Sequence, residues 1–272
     1  VKLSPSASEI WQTLLEWAPT ELAESWDNIG IQVGDPDVRV KRVMVALDPT
    51  FALLEEAKRK GVQMVITHHP LLFKPIRSID LSTQIPRLLA GYLRSDIALF
   101  AAHTNLDAAN GGVSDIVASA LGLFDIRPLT SSQTQGAFAA GIGRIGRLGK
   151  QKALSDIAND LLSLIAAPGC LMVGKPDIMI EKVALCCGSG SDLWPFAINS
   201  GAELFISAEI KHHIARDAEE RGIAIIDAGH FYTEHPVVFE VARFLRQKAD
   251  QMKWDVESFV FNSETSPFTY WS

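Results

Sequence analysis

Two apolar rhythms alternate along this chain. Short unbroken runs such as VMVAL at 43–47, VQMVI at 62–66, IALFAA at 97–102 and IAIID at 223–227 read as parallel strands covered on both faces. Between them the apolar positions return at helical spacing. Ser6 and Glu9 form a capping box ahead of Ile10, Leu14 and Leu15 on one face, with Pro19 as the stop. FALLEEAKRK closes on Gly61, IPRLLAGYLRS and SDIVASALGL follow, the latter opened by Ser114, and a helix from near Ala153 runs through Leu154, Ile157, Leu161, Leu162 and Ile165 to Pro168 and Gly169. ESWDNIGIQVGDP reads as a polar, glycine-bearing loop, and RPLTSSQTQG as a linker. This alternation predicts an α/β fold with function carried by the loops at the strand C-terminal ends. The expected domains are 1–128 and 129–272, with the C-terminal segment able to pack back on the first.

The second half repeats the plan of the first. KVALCCGSGSDLWPFAINSGAELFISAE runs strand, turn, helix, glycine, strand, as VMVALDPTFALLEEAKRKGVQMVITHH does. In that register His69 lies over Glu209, His103 over His230, and Asp107 over Glu234, the last two pairs each spaced H-x-x-x-acid. An internal duplication follows, two similar α/β domains that each present a histidine and a carboxylate at equivalent strand ends. GIGRIGRL formally matches a dinucleotide-binding glycine pattern but lacks the strand before it and the helix after it, so it is read as a strand.

The chemistry concentrates at ITHHPLLF. His68 and His69 stand side by side where a buried run gives way to Pro70, so both imidazoles can turn toward one pocket. If the two halves face each other, their loops converge on a cleft holding His68, His69 and Asp107 from one side and His230 and Glu234 from the other. Five nitrogen and oxygen donors exceed one tetrahedral ion and suit two divalent ions, with Asp107 and Glu234 as bridging candidates. Such pairs lower the pKa of a water and support hydrolysis. Imidazole and carboxylate admit zinc, iron, manganese, cobalt or nickel.

Composition narrows the partners. No apolar run reaches the roughly 18 residues of a membrane span, and VKLSPSASEIW lacks the basic and apolar regions of a signal peptide, so a cytoplasmic protein without membrane partners is expected. A net charge of -7 disfavours extended nucleic-acid binding. Cys170, Cys186 and Cys187 form no disulfide framework, and the latter two read as core residues.

The segments SWDNIGIQVGDP, ITHHPLLF, HTNLDAANGGVSD, CGSGSD and AGHFYTEHP, in this order over residues 25–236, resemble the Nif-three-like family, whose members are often named GTP cyclohydrolase I type 2 homologues. The resemblance implies two α/β domains with a dinuclear metal site between them and a toroidal homohexamer. It carries the metal ligands onto His68, His69, Asp107, His230 and Glu234. His103 and Glu209 match pocket positions and are the candidates for proton transfer; SAE at 207–209 stands where the family more often has a TGE-like sequence. The implied activity is purine ring opening on GTP with formate release, the substrate being a small molecule such as a nucleotide. Lys74, Arg77 and Lys211 are then candidates to meet a triphosphate, and CGSGSD to hold a phosphate at a helix start. A phosphoesterase, an amidohydrolase or a non-enzymatic metal-binding scaffold remain open alternatives.

Overall fold

The structure, a computed structural model, describes residues 3–130 and 140–271. It is mixed α/β, with one five-stranded and one six-stranded sheet, and divides into two units: 1–106 with 238–264, and 107–237 with 265–272.

In the first unit α1 (Ala7–Leu15) starts from the expected box, Glu9 N–H donating to Ser6 Oγ and Ser6 N–H to Glu9 Oε2. Its buried face is Ile10, Trp11 and Leu14; the bulkier Trp11 takes the inward place expected of Leu15, which is half-buried. The polar loop that follows contains β1 (Gly30–Val33), then come β2 (Arg42–Ala46), α2 (Phe51–Arg59), β3 (Met64–Thr67), α3 (Gln84–Arg94) and β4 (Ala98–Ala101). Strands β4, β3 and β2 are parallel, and β1 adds antiparallel to β4 at the edge. Every residue of β3 and β4 is buried, as their unbroken apolar runs require.

The helical turn α4 (Thr104–Ala108) leads into the second unit, where α5 (Val113–Ala120) and β5 (Phe124–Pro128) follow. Next are β6 (Arg144–Ala153), α6 (Leu154–Ile165), β7 (Leu171–Val173), β8 (Met179–Leu185), α7 (Trp194–Asn199), β9 (Leu204–Ser207), α8 (His212–Glu220), β10 (Ala224–Asp227) and α9 (His230–Glu234). Strands β8, β9 and β10 are parallel, β7 flanks β10 antiparallel, and the β5–β6 pair joins the other edge antiparallel. The chain then enters α10 (Pro236–Met252) and β11 (Glu257–Val260), which pairs in parallel with β2 of the first sheet.

The repeat is visible in this order. α1, β1, β2, α2, β3, α3, β4, α4 is matched by α6, β7, β8, α7, β9, α8, β10, α9, with the three parallel strands and the antiparallel edge strand in the same places. The units divide at 106/107 rather than 128/129, because residues 124–128 hydrogen-bond as β5 into the second sheet while β11 closes the first. Arg127 and Pro128, expected in a linker, belong to β5; the rest of that linker, from residue 131, lies outside the described residues. GIGRIGRL enters β6, consistent with its reading as a strand. Ser114 does not open α5, whose N-cap is Gly112; its hydroxyl is buried and accepts from Cys187 N–H. Phe261 of the aromatic tail packs into the first unit's core.

Candidate functional site

The first unit gathers three imidazoles beyond the ends of β3 and β4. His68 and His69 continue the strand ladder, donating N–H to Ala46 O and Leu47 O, and the Thr67 hydroxyl folds back onto His69 O at 2.7 Å. This tight turn is why neighbouring residues send both rings the same way. His103 comes two residues after β4. Their ring centroids are 5.1 Å (His68–His69), 5.2 Å (His68–His103) and 5.7 Å (His69–His103) apart, and one nitrogen from each lies within 4.8 Å of the others.

Each ring is held from behind through Nδ1. His68 Nδ1 meets Ala102 O at 2.8 Å, His69 Nδ1 meets Asp48 Oδ1 at 2.8 Å, and His103 Nδ1 meets Asp27 Oδ1 at 2.9 Å. A carbonyl or an ionised carboxylate only accepts, so Nδ1 carries the proton and Nε2 offers a lone pair to the site. Asp27 also accepts from Thr104 N–H and its hydroxyl. Burial by itself would raise the Asp27 carboxyl, but the bonds from His103 and Thr104 outweigh it and hold it well below the usual carboxylate range. Glu264 accepts N–H groups of Leu47 and Asp48, and burial pushes its carboxyl up to about 7.

The second unit presents fewer imidazoles and more carboxylate. His230 opens α9, its Nδ1 donating to Glu209 Oε1 at 2.9 Å while Nε2 lies 2.9 Å from Glu234 Oε2, one turn on. Asp227, at the end of β10, accepts from Ile210 N–H and Gly229 N–H, tying the loop of Glu209 to the start of α9. Glu209 itself sits at φ 57°, a left-handed conformation that a side-chain-bearing residue adopts rarely and that clusters at functional sites. Burial works to raise its carboxyl, yet hydrogen bonds with His230 and Ser189 keep it lowered. Oxygens of Asp107 and Glu234 lie within 4.8 Å of each other. Gly188 makes the room: a Cβ there would stand 1.8 Å from Glu234 Oε1, and its φ is 69°. That is the function of the first glycine of CGSGSD, a segment that runs on into a 3-10 turn and α7.

The residues fit divalent metal ions. Four imidazoles are fixed in the tautomer that turns Nε2 outward, three of them by a carboxylate, the arrangement in which ligating histidines are generally found. In the second unit an imidazole nitrogen and a carboxylate oxygen lie 2.9 Å apart, a pairing that a shared cation or a proton on the imidazole satisfies. The buried thiols do not join this set. Burial first, and the Asp107 and Glu234 charges with it, push the Cys186 thiol up and keep it neutral.

His103, expected as a proton-transfer residue, stands among the histidine donors, and Glu209 backs His230. Asp27, Asp48 and Asp227 were not singled out by the sequence. Lys74, Arg77 and Lys211 are exposed. Among the described residues no helix is long and apolar enough to cross a membrane.

The family model described as Duf34/NIF3 (NGG1p interacting factor 3) matches residues 5–267. A relative in Clostridium perfringens named "GTP cyclohydrolase 1 type 2 homolog" is 33% identical over 97% of this chain and 98% of its own length. One of the same name in Streptomyces coelicolor is 34% identical over 97% of this chain and 94% of its own. The crystal structure of a Staphylococcus aureus hypothetical protein superposes with a TM-score of 0.91 at 29% identity, covering 98% of this chain and all of that one.

Proposed function

The chain belongs to the Duf34/NIF3 family, and from that premise we propose that it is a dinuclear metal-dependent hydrolase. His68, His69, Asp107, His230 and Glu234 hold two divalent ions per chain, and the names of the relatives make purine ring opening on GTP, with formate release, the first reaction to test. The observation that carries the reading is the outward Nε2 set of His68, His69 and His103, each ring pinned at Nδ1. Two metal ions held there would supply a water of lowered pKa and polarise the group under attack.

The side chains do the remaining work. Ala102 O, Asp48 and Asp27 orient the three imidazoles and fix their protons on the far side. Asp107 and Glu234 would supply the bound ions with negative charge, which neutral imidazoles cannot. Glu209, ionised and half-exposed, holds the Nδ1 proton of His230 and is placed to accept a proton from a reacting group. A homohexamer remains the expected assembly on the family resemblance.

The test is a metabolite screen of protein reconstituted separately with zinc, manganese and iron, offering GTP, phosphoesters and amides and reading products by mass. Formate together with a ring-opened triphosphate supports the cyclohydrolase reading. Turnover of phosphoesters or amides alone moves the chain to another hydrolase class. Tight metal binding without turnover of any of them leaves a metal-binding scaffold and overturns the enzyme reading.

A further inference from the structure

Two aromatic side chains beside the histidines of the first unit take no part in holding them. Trp26 and Phe73 are 57% and 50% exposed, although large rings are the groups a fold gains most by burying. Their loops are nevertheless tied down. Trp26 immediately precedes Asp27, which is locked to His103 and Thr104. Phe73 follows Leu72, whose N–H donates to Gln32 Oε1 at 3.0 Å and whose carbonyl accepts from Asn28 Nδ2 at 2.7 Å. Buried Gln32 in turn donates to Asn28 O at 2.8 Å, so two amide side chains stitch the loops together behind the rings. The rings stand edge to face, 5.6 Å apart at 62°, and their centroids lie 6.2 and 6.4 Å from that of His103. Trp26, Phe73 and His103 thus make an open corner with preset walls.

We infer that this corner is the subsite for a planar heteroaromatic ring of the substrate, Trp26 and Phe73 gripping the ring while His103 marks the side on which the metal donors lie. Two walls steeply inclined to each other offer an incoming ring one face to stack on and one edge to meet, the two geometries aromatic pairs prefer. An aliphatic amide or a simple alkyl phosphate gains no stacking there. Holding the rings in place beforehand lowers the entropy cost of binding, which explains hydrogen bonds invested behind side chains left in water. Lys74 and Arg77 follow Phe73 on the same exposed loop, a charge that suits a phosphorylated ring compound. The assignment rests on the hydrolase reading for what happens to the ring, and on the three rings alone for its being bound.

The test is calorimetric titration of the full-length, zinc-loaded protein with GMP, CMP and ribose 5-phosphate, for wild type, Trp26→Ala, Phe73→Ala and Trp26→Phe, with zinc content and mass by light scattering read on each. GMP and CMP are expected to bind at least roughly tenfold tighter than ribose 5-phosphate, since base–aromatic stacking tolerates any base. Either alanine variant is expected to weaken both nucleotides by roughly 5- to 100-fold, leaving ribose 5-phosphate and zinc content unchanged, and Trp26→Phe to restore most of the affinity. Equal binding of nucleotide and ribose 5-phosphate overturns the subsite, as does unaltered nucleotide affinity in both alanine variants. A loss of affinity that appears only together with a fall in assembly mass also overturns it, and makes the corner a contact between copies. Base-dependent binding without any turnover refutes the hydrolase and keeps the subsite; turnover without base dependence does the reverse.

Discussion

The two copies of the repeated unit end their strands in the same places and put different chemistry there. The first offers three imidazoles with the negative charge set behind them, on Asp48 and Asp27. The second offers one imidazole and brings the carboxylate of Glu234 forward, where an oxygen of Asp107, its counterpart in the repeat, lies within 4.8 Å of it. Where the register sets His69 over Glu209, a donor in one copy has become the residue that holds a donor in the other. His103 and His230 keep the same 2.9 Å bond to a carboxylate, but Asp27 comes from the loop before β1 and Glu209 from the loop after β9. The scaffold survived duplication as backbone geometry, while the acid behind each imidazole was supplied afresh. In the proposed metal centre the imidazoles would give directional ligands, and the carboxylates the charge to balance two cations.

The largest effect is expected where the paired carboxylates Asp107 and Glu234, one from each copy, lose their charge. Asp107→Ala or Glu234→Ala is expected to abolish the metal pair and all hydrolysis, read as metal per chain by elemental analysis and by turnover. Two ions retained in either variant would remove the bridging assignment. Gly188→Ala is expected to act nearly as strongly, because its Cβ takes the place of Glu234 Oε1 and its φ is left-handed; we expect about 1–3 kcal/mol of stability lost along with metal, by denaturant titration and elemental analysis.

Smaller effects separate the backing acids from the donors. Asp27→Asn and Glu209→Gln are each expected to weaken metal affinity or turnover by about 10- to 100-fold without removing the ions, measured by competition with a chromophoric chelator. Complete loss of metal in Glu209→Gln would move that residue into the ligand set.

Least in size, and opposite in sign, are two pH effects in the metal-free first unit. Asp27 is lowered in the fold, so its stabilisation is complete above its ordinary value of 3.8 and is lost as the pH falls through the depressed one. Glu264 is raised from 4.5 to about 7, so the folded state holds the extra proton between those values and stability falls as the pH rises through them. Glu264→Gln is expected to flatten that decline, a change of about 2–4 °C in Tm between pH 4.5 and 7 by scanning calorimetry. An unchanged slope would place the proton elsewhere.

What the sequence made legible was local. An apolar run ending in His68-His69-Pro70 states its own geometry, and the H-x-x-x-acid spacing recurring at His103 and His230 exposes the repeat without any tertiary knowledge. The acids behind the rings were illegible because each pairs across the chain: Asp27 lies 76 residues from His103 and Asp48 lies 21 from His69. Strands β1 and β5 escaped notice for another reason, being short edge strands whose partly exposed residues carry no apolar run. Ser114 had the right identity for a cap, but Cys187 N–H, 73 residues away, claims its oxygen.

We propose above that His68, His69 and His230, with the carboxylates of Asp107 and Glu234, ligate one pair of ions. Anomalous diffraction from crystals of the zinc-loaded protein tests it directly. Two peaks per chain are expected, about 3.5–4 Å apart, touching His68 and His69 as well as His230, with Asp107 and Glu234 between them. A single peak, or two peaks each bound by donors of one copy alone, would contradict it.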